Sequence, residues 1–222
     1  IELGYLAELA NLPLDETLMV LKDAGLGSIP GGGAEIFAKR VRRKICGEKL
    51  IAEDWLNVHE AAHGLGLKSN ATMLYGHLET VEERADHLVR LRELQDRTNG
   101  FVTFIPLAFH PENTVLEFLK TTPGQLDLRA LAGYRLMLDN FPHIKAFWIM
   151  ITPKIAQLAQ SFGADDMDGT VVEEKIIHAA GAATDQIFHQ DQIINMITEA
   201  GRNPVERDTL YEKVEARSAV ST

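Results

Sequence analysis

The chain alternates between strand-like and helix-like segments, and this alternation restricts the folds that it can adopt. Short apolar runs are separated along the sequence by amphipathic stretches of helical length. The strand-like runs cover residues 27–30, 68–74, 101–107, 144–151 and 165–170. Strands that alternate with helices form βα units, in which the strands lie parallel. The pattern therefore predicts an α/β fold with five parallel strands and crossover helices.

Helical patterns fill the stretches between these runs. The longest predicted helix extends from Thr80 to Arg97, with Thr80 as its N-cap and Glu83 at the position that completes a capping box. Asp15 is the predicted N-cap of the first helix. The other predicted helices cover residues 15–24, 34–45, 53–63, 125–140 and 153–162, and a helical C-terminal part covers 185–199 and 207–214.

Two architectures satisfy this order of elements. An open sheet buries both faces under helices, whereas a (β/α)8 barrel of the TIM type needs eight strands and about 250 residues. The chain has 222 residues and five predicted strands, so a barrel would lack its first three strands in this sequence. In both architectures the functional residues follow the carboxyl ends of the strands.

Composition disfavours several classes of protein. The 22 Lys and Arg stand against 32 Asp and Glu, and the net charge of −10 disfavours binding to nucleic acid. No apolar run approaches the roughly 20 residues of a membrane span, and the N-terminus lacks the pattern of a signal peptide. A cytoplasmic protein without a membrane partner is therefore expected. Cys46 is the only cysteine, so this sequence alone cannot hold an iron–sulfur cluster through several thiolates.

Polar residues cluster directly after the predicted strands. The triplet Gly31–Gly33 follows the first strand and precedes a predicted helix, an arrangement that presents N–H groups to a carboxylate or phosphate. A tight turn without a ligand explains the triplet equally well. The second and third strands are followed by His77, Glu79, His110, Glu112 and Asn113. Titratable groups at neighbouring strand ends predict a binding or catalytic site at this edge of the sheet.

A zinc-hydrolase motif competes with that site. The sequence His59-Glu60-Ala61-Ala62-His63 fits H-E-x-x-H, in which two histidines one helical turn apart hold zinc and the glutamate acts as base. The next expected ligand position holds Ser69. The packing stripe of this helix is predicted to consist of Trp55, Val58, Ala62 and Leu65. Both histidines are therefore predicted to be ordinary helix-surface residues, with Glu60 turned toward solvent and no metal bound.

Long motifs at the strand ends resemble the aminofutalosine synthase family of radical S-adenosylmethionine (SAM) enzymes. The resemblance covers essentially the whole chain. It is carried by SIPGGGAEIF at 28–37, SNATMLYGHLET at 69–80, FIPLAFHPENT at 104–114, LDNFPHIKA at 138–146 and GADD at 163–166. Cyclic dehypoxanthine futalosine synthase is the nearest sibling and the alternative. The segments 106–110 and 172–181 favour aminofutalosine synthase.

The resemblance implies a partial radical SAM barrel. Residues 1–184 would form its second half, with strands four to eight and flanking helices, and residues 185–222 a helical C-terminal extension that packs on the barrel. The family holds a [4Fe–4S] cluster through a Cys-x-x-x-Cys-x-x-Cys loop after the first strand, and no such loop is present in this sequence. The chain is therefore expected to be the later part of a longer enzyme, and inactive by itself.

The resemblance also implies an activity. The intact enzyme would cleave SAM to methionine and a 5′-deoxyadenosyl radical, which adds to 3-[(1-carboxyvinyl)oxy]benzoate and yields aminofutalosine with loss of the carboxylate, for menaquinone biosynthesis. Its partners would be SAM, the cluster, a substrate with two carboxylates and an external electron donor. A homodimer and a non-catalytic remnant are open alternatives, as is the zinc hydrolase.

Roles for individual residues follow from the same resemblance. His77 and His110 are predicted to transfer protons or hold a carboxylate, with Glu112 and Asn113 as orienting partners. Gly31–Gly33 would cradle a carboxylate of methionine or substrate. Ile105, Pro106 and Leu107 would form an apolar wall for the adenine. The other residues predicted to bind the cofactor are Glu2, Glu35, Thr72, Gly76 and Glu79.

Overall fold

The computed structural model describes residues 2–170 and 189–214. Its strands are β1 (Ser28–Ile29), β2 (Lys68–Tyr75), β3 (Phe101–Ala108), β4 (His143–Ala146) and β5 (Asp166–Met167). Its helices are α1 (Glu2–Ala10), α2 (Leu14–Asp23), α3 (Lys39–Ile45), α4 (Ala52–Gly64), α5 (Val81–Thr98), α6 (Gly124–Met137), α7 (Trp148–Ile151), α8 (Pro153–Ala159) and α9 (Gln190–Glu199). This order confirms the predicted α/β class.

The five strands form one parallel sheet in the order β1-β2-β3-β4-β5. Each strand pairs with the next strand of the sequence, so every connection crosses over one face and returns to the same end of the sheet. The carboxyl ends of all five strands therefore lie along one edge. This confirms the predicted parallel arrangement.

Helix α5 begins as the sequence predicts. The Thr80 side chain accepts a hydrogen bond from the Glu83 N–H, and the Glu83 side chain accepts one from the Thr80 N–H, which completes the capping box. Glu83 also accepts two hydrogen bonds from Arg40, at 2.6 and 2.9 Å, and so ties α5 to α3. Both partners of the capping box, Thr80 and Glu83, are close in the sequence, so local sequence is enough to predict it.

Several element boundaries differ from the prediction. Helix α3 begins at Lys39, because residues 34–38 form an irregular segment. Strand β4 ends at Ala146 and the apolar run continues as the short helix α7, since a buried strand and a buried helix have the same apolar signature. Helix α2 has Pro13 rather than Asp15 as its N-cap. Residues 207–214 are not helical.

The main core lies between the sheet and the helices. Large side chains without solvent exposure on this side include Tyr75, Phe101, Phe104, Phe141 and Trp148. On the other face of β2 and β3, Leu74, Ile105 and Leu107 are only half-buried. None of the described helices has the length and apolar character required to cross a membrane.

A C-terminal hairpin, residues 206–214, packs against the sheet. Its arms are joined by a hydrogen bond from the Val214 N–H to the Glu206 carbonyl and by an antiparallel bridge between Arg207 and Lys213. Arg207 donates two hydrogen bonds from Nη2 to the Asp166 carboxylate, at 2.7 and 2.9 Å. The Tyr211 hydroxyl donates a third, at 2.6 Å. The sequence gives no signal for this contact, because its partners lie 41 and 45 residues apart.

Asp166→Asn is expected to release this hairpin. The substitution removes the charge that balances the half-buried Arg207 guanidinium, and breaking such a pair costs about 2–4 kcal/mol of the free energy of unfolding. Urea unfolding checks the loss of stability, and trypsin cleavage at Arg207 and Lys213 checks the release. Asp191→Asn on the exposed first turn of α9 is the matched control. Equal cleavage rates in the two variants would show that Asp166 does not hold the hairpin.

Candidate functional site

The loop between β1 and α3, residues 31–37, forms the first part of the site and is called the glycine loop below. It lies against the end of β2: the Thr72 hydroxyl donates a hydrogen bond to the Gly31 carbonyl at 2.6 Å, and the Leu74 N–H donates one to the Glu35 carbonyl at 2.7 Å. Gly33 and Glu35 both have positive φ, at 86° and 45°. A glutamate in this conformation is strained, and such strain concentrates at ligand sites.

Gly31 packs too closely against β2 for a side chain. A Cβ atom placed on Gly31 would lie 2.6 Å from the Asn70 carbonyl oxygen and 2.9 Å from its carbon. The prediction that a helix begins directly after the triplet is wrong, because α3 begins only at Lys39 and has seven residues.

The turn after β2 is organised by Glu79. Its carboxylate accepts hydrogen bonds from the N–H groups of Gly76, at 2.7 Å, and His77, at 2.9 Å. Arg84 Nε lies 3.6 Å from the same carboxylate, and the Glu79 side chain is almost completely buried. Glu79 therefore fixes the backbone of this turn, and Gly76 is in the left-handed conformation, with φ of 88°.

Both ring nitrogens of His77 have backbone partners. Nε2 lies 3.0 Å from the Leu74 carbonyl oxygen, and Nδ1 lies 2.7 Å from the Leu78 nitrogen. Nδ1 therefore accepts from the Leu78 N–H while Nε2 carries the proton and donates, which assigns the neutral tautomer. Burial lowers the pKa of His77, although the neighbouring Glu79 carboxylate opposes this shift. These contacts favour a positioning role for His77.

The segment after β3 approaches the same edge. The Phe109 N–H donates to the Tyr75 carbonyl at 2.9 Å, and its ring packs edge-on against His77, with centroids 5.7 Å apart. His110 is half-buried, and its Nε2 lies 2.9 Å from the Met150 carbonyl oxygen. Glu112 and Asn113 lie farther along, on an exposed turn. The structure thus brings the glycine loop, the Glu79 turn and Phe109 together at one edge of the sheet.

The predicted apolar wall divides between two faces of β3. Thr72 pairs with Ile105 and Leu74 with Leu107, so the half-buried Ile105 and Leu107 share the face that carries Thr72. Pro106 points to the opposite face, beneath the helices. Of the three predicted wall residues, only Ile105 and Leu107 lie on the face that carries Thr72.

Two predicted features lie at the limits of the described residues. Glu2 is the first residue of α1 and follows no described strand, and its side chain belongs to the part that is not described. The segment 172–181, which carries part of the resemblance, lies outside the described residues.

The prediction that His59 and His63 are surface residues is wrong. Both are buried, with exposed fractions of 2% and 9%, and Ser69 Oγ lies 2.9 Å from His59 Nδ1 and 2.7 Å from His63 Nε2. Burial lowers the pKa of His59 to about 3 and that of His63 to about 4. The helix periodicity could not show this, because Ser69 comes from β2. Within residues 2–170 and 189–214, no three His, Cys, Asp or Glu side chains form a group able to hold a metal ion.

Comparison with known proteins identifies the family of this chain. A family model described as the CofH/MqnC C-terminal region matches residues 98–220, more than half of the sequence. The chain belongs to the CofH/MqnC family. The matched region begins just before β3 and includes the segment that contacts the Glu79 turn. Membership of the CofH/MqnC family therefore confirms the resemblance of the strand-end motifs.

Relatives of this chain include two proteins named aminodeoxyfutalosine synthase. The protein from Thermus thermophilus is 53% identical over 220 residues, which are 96% of this chain and 58% of that protein. The protein from Streptomyces coelicolor is 42% identical over 222 residues, which are 95% of this chain and 57% of that protein. A 5-amino-6-(D-ribitylamino)uracil–L-tyrosine 4-hydroxyphenyl transferase from Methanosarcina barkeri is 39% identical over 221 residues, which are 96% of this chain and 58% of that protein. The chain spans somewhat more than half the length of these relatives.

Proposed function

We propose that this chain is the C-terminal portion of a radical SAM aminofutalosine synthase. One observation carries the proposal: the glycine loop, the Glu79 turn and Phe109 meet at the carboxyl edge of one parallel sheet. Direct hydrogen bonds join the neighbouring segments there. Ligand sites of parallel α/β folds lie at this edge. The names of the Thermus and Streptomyces relatives support the choice over cyclic dehypoxanthine futalosine synthase.

The architecture proposed for the complete enzyme is a radical SAM barrel. Strands β1 to β5 would be its strands four to eight, residues 1–184 its second half, and residues 185–222 a C-terminal extension. The structure supports parallel neighbours in sequential order, as a barrel requires. A homodimer, an external electron donor and a cytoplasmic location stay predictions.

The residues of this chain fit SAM but not its iron–sulfur cluster. SAM supplies the adenosyl group that the proposed reaction transfers. The glycine loop would bind a carboxylate through its N–H groups, while Ile105 and Leu107 give an apolar surface suited to adenine. Three thiolates are needed for the cluster, and this sequence contains Cys46 alone, at the C-terminal end of α3. No step proposed for these residues involves that cluster.

The side chains of the edge divide into those that hold the backbone and those that can meet a substrate. Glu79 and His77 are engaged by backbone groups of their own turn, so we assign them to positioning. His110 is half-buried, and its Nδ1 is the ring nitrogen that the Met150 contact leaves open within the described structure. His110 is therefore proposed to hold a carboxylate or move a proton. Glu112 and Asn113 are proposed to orient the substrate.

An activity assay on the complete enzyme that carries this segment tests the proposal. Reductant, SAM and 3-[(1-carboxyvinyl)oxy]benzoate are supplied without oxygen, and aminofutalosine is measured by mass spectrometry. His110→Ala is expected to lower its formation at least tenfold, while His189→Ala, at an exposed position, leaves it unchanged. A second assay offers tyrosine and 5-amino-6-(D-ribitylamino)uracil. If the enzyme forms product only from tyrosine and 5-amino-6-(D-ribitylamino)uracil, the proposed substrate is wrong. If the 222 residues catalyse the reaction by themselves, the proposal that they are only a portion of the enzyme is wrong.

A further inference from the structure

The β3–α6 loop, residues 109–123, carries three of the residues that are proposed to act on the substrate: His110, Glu112 and Asn113. Much of this loop is exposed, so the contacts at its two ends decide where those residues lie. The first end is fixed through the backbone, because the Phe109 N–H donates a hydrogen bond to the Tyr75 carbonyl at 2.9 Å. Tyr75 is the last residue of β2, so the loop starts beside the Glu79 turn.

The other end of the loop is fixed by a buried carboxyl group, that of Asp127. This residue lies in the first turn of α6 and is only 4% exposed. Its Oδ1 accepts a hydrogen bond from the Thr122 hydroxyl at 2.7 Å and another from the Tyr75 hydroxyl at 2.8 Å. A carboxylate accepts such bonds more strongly than a neutral oxygen does. Both ends of the loop are thus tied to Tyr75, the first through its carbonyl and the second through its hydroxyl and Asp127.

Thr122 also touches the Glu79 turn. A Cβ atom placed on Gly76 would overlap with the Thr122 methyl group, so this methyl group lies directly against the glycine. The Gly76 N–H in turn donates to the Glu79 carboxylate at 2.7 Å. The hydrogen bond from Thr122 to Asp127 therefore sets how the end of the loop packs on this turn.

The start of the loop lies close to the same carboxyl group. Burial raises the pKa of Asp127, and its two hydrogen-bond donors and the nearby His110 oppose this shift. Asp127 therefore interacts with His110 at the start of the loop as well as with Thr122 at its end. Compact loops whose ends lie close together frequently carry functional residues.

We propose that Asp127 is a positioning residue that closes the β3–α6 loop at the carboxyl edge of the sheet. This inference rests on the proposed function, which supplies the substrate that the loop residues meet. Asp127 itself contacts no ligand, because it acts through Thr122. A loop that is released at this end no longer holds its polar side chains in one place, and a small misplacement of such groups lowers the rate of a reaction strongly.

Thr122→Val in the complete enzyme tests this role. Valine keeps the methyl group against Gly76 and removes the hydroxyl, so the hydrogen bond to Asp127 is lost. With saturating SAM, we expect the kcat/KM for 3-[(1-carboxyvinyl)oxy]benzoate to fall at least tenfold, and trypsin to cleave after Lys120 at least fivefold faster. Asp127→Asn keeps an acceptor oxygen and is expected to stay within threefold of the wild type in both measurements. Thr121→Val, at the exposed neighbouring position, is the matched control.

A second comparison separates positioning from a general loss of structure. Thr122→Val is combined with alanine at His110, Glu112 or Asn113. Once the residue that the closed loop places has been removed, closure no longer matters, so the loss of kcat/KM should be at least threefold smaller in one of these backgrounds. That background identifies the residue that Asp127 positions. An equal loss in all three backgrounds would overturn the proposal.

The remaining outcomes are equally distinct. Thr122→Val is expected to bind SAM within twofold of the wild-type affinity; SAM binding that weakens as much as kcat/KM would show a general structural defect and overturn the proposal. The same kcat/KM, or the same cleavage after Lys120, in Thr122→Val and Thr121→Val would also overturn it. If Thr122→Val does not fold, Thr122→Ser and Thr122→Ala give the same comparison, since only serine keeps the hydroxyl. A wild-type enzyme that forms no aminofutalosine would instead reject the proposed function, and the trypsin comparison alone would then decide whether Asp127 closes the loop.

Discussion

Acidification from pH 7 to pH 5 is expected to remove about 4–6 kcal/mol from the free energy of unfolding. Of the histidines that burial keeps neutral, three have the most strongly lowered pKa values: His59 and His63 around Ser69, and His87 beneath the glycine loop, where it has no solvent exposure. Burial lowers the pKa of His87 to about 3. His87 Nδ1 accepts a hydrogen bond from the Phe37 N–H, so its protonation would also disturb the glycine loop.

The direction of this effect follows from proton uptake. Well above pH 6.5 the three histidines are neutral in both the folded and the unfolded chain, and they add no pH dependence. Below pH 6.5 the unfolded chain binds protons that the folded chain does not bind until about pH 3–4, so stability falls as the pH falls. His59 and His87 each contribute about 2 kcal/mol at pH 5, and His63 contributes slightly less because its pKa is lowered less. Burial raises the pKa of Asp127, so this carboxyl group weakly opposes the loss of stability as the pH falls.

Urea unfolding between pH 7.5 and pH 4.5 measures this loss. The slope of the free energy of unfolding against pH corresponds to an uptake of two to three protons on unfolding, roughly 3–4 kcal/mol per pH unit at its steepest. His87→Gln is expected to remove about a third of the slope, whatever its effect on stability at pH 7. His189→Gln, at an exposed position, should leave the slope as in the wild type. Equal stability at pH 7 and pH 5 would mean that these histidines are protonated in the folded protein.

Local sequence was sufficient to predict the order of the strands and the edge of the sheet along which the candidate residues lie. Strand periodicity, the Thr80 capping box and the proline at the start of α8 are all encoded within a few residues. The meeting of three separate segments follows from topology, because parallel strands with crossover helices must end at one edge. These features needed no knowledge of distant contacts.

Contacts between distant residues could not be predicted in the same way. The buried state of His59 depends on Ser69 of the neighbouring strand, and the hairpin at Arg207 depends on Asp166, 41 residues earlier. Arg42 is the buried member of the basic residues at positions 39–44, and the helical periodicity gives no signal for its burial. Polar groups are placed in a core by partners that the helix period does not reveal.

Gly31→Ala is expected to lower the free energy of unfolding by about 2–3 kcal/mol and to abolish most carboxylate binding. The added methyl group would lie 2.6 Å from the Asn70 carbonyl oxygen and 3.1 Å from the Ala71 carbonyl carbon, in the middle of a buried strand. Backbone atoms of a paired strand cannot move aside as a side-chain tip can, so overpacking at this contact is costly. The glycine loop must then shift away from β2 and lose the hydrogen bond from Thr72 to the Gly31 carbonyl.

Gly32→Ala separates this steric effect from a general effect of adding a methyl group to the triplet. A Cβ atom on Gly32 meets nothing within 4 Å, and the position is exposed, so its stability is expected to stay within about 0.5 kcal/mol of the wild type. Urea unfolding of both variants measures the loss of stability, and SAM binding to the complete enzyme measures the loss of carboxylate binding. If both variants are equally stable, the close contact with β2 does not hold the loop. If Gly31→Ala is destabilised but binds SAM with wild-type affinity, then the backbone position of Gly31 supports the fold alone, and the carboxylate must bind elsewhere along the edge.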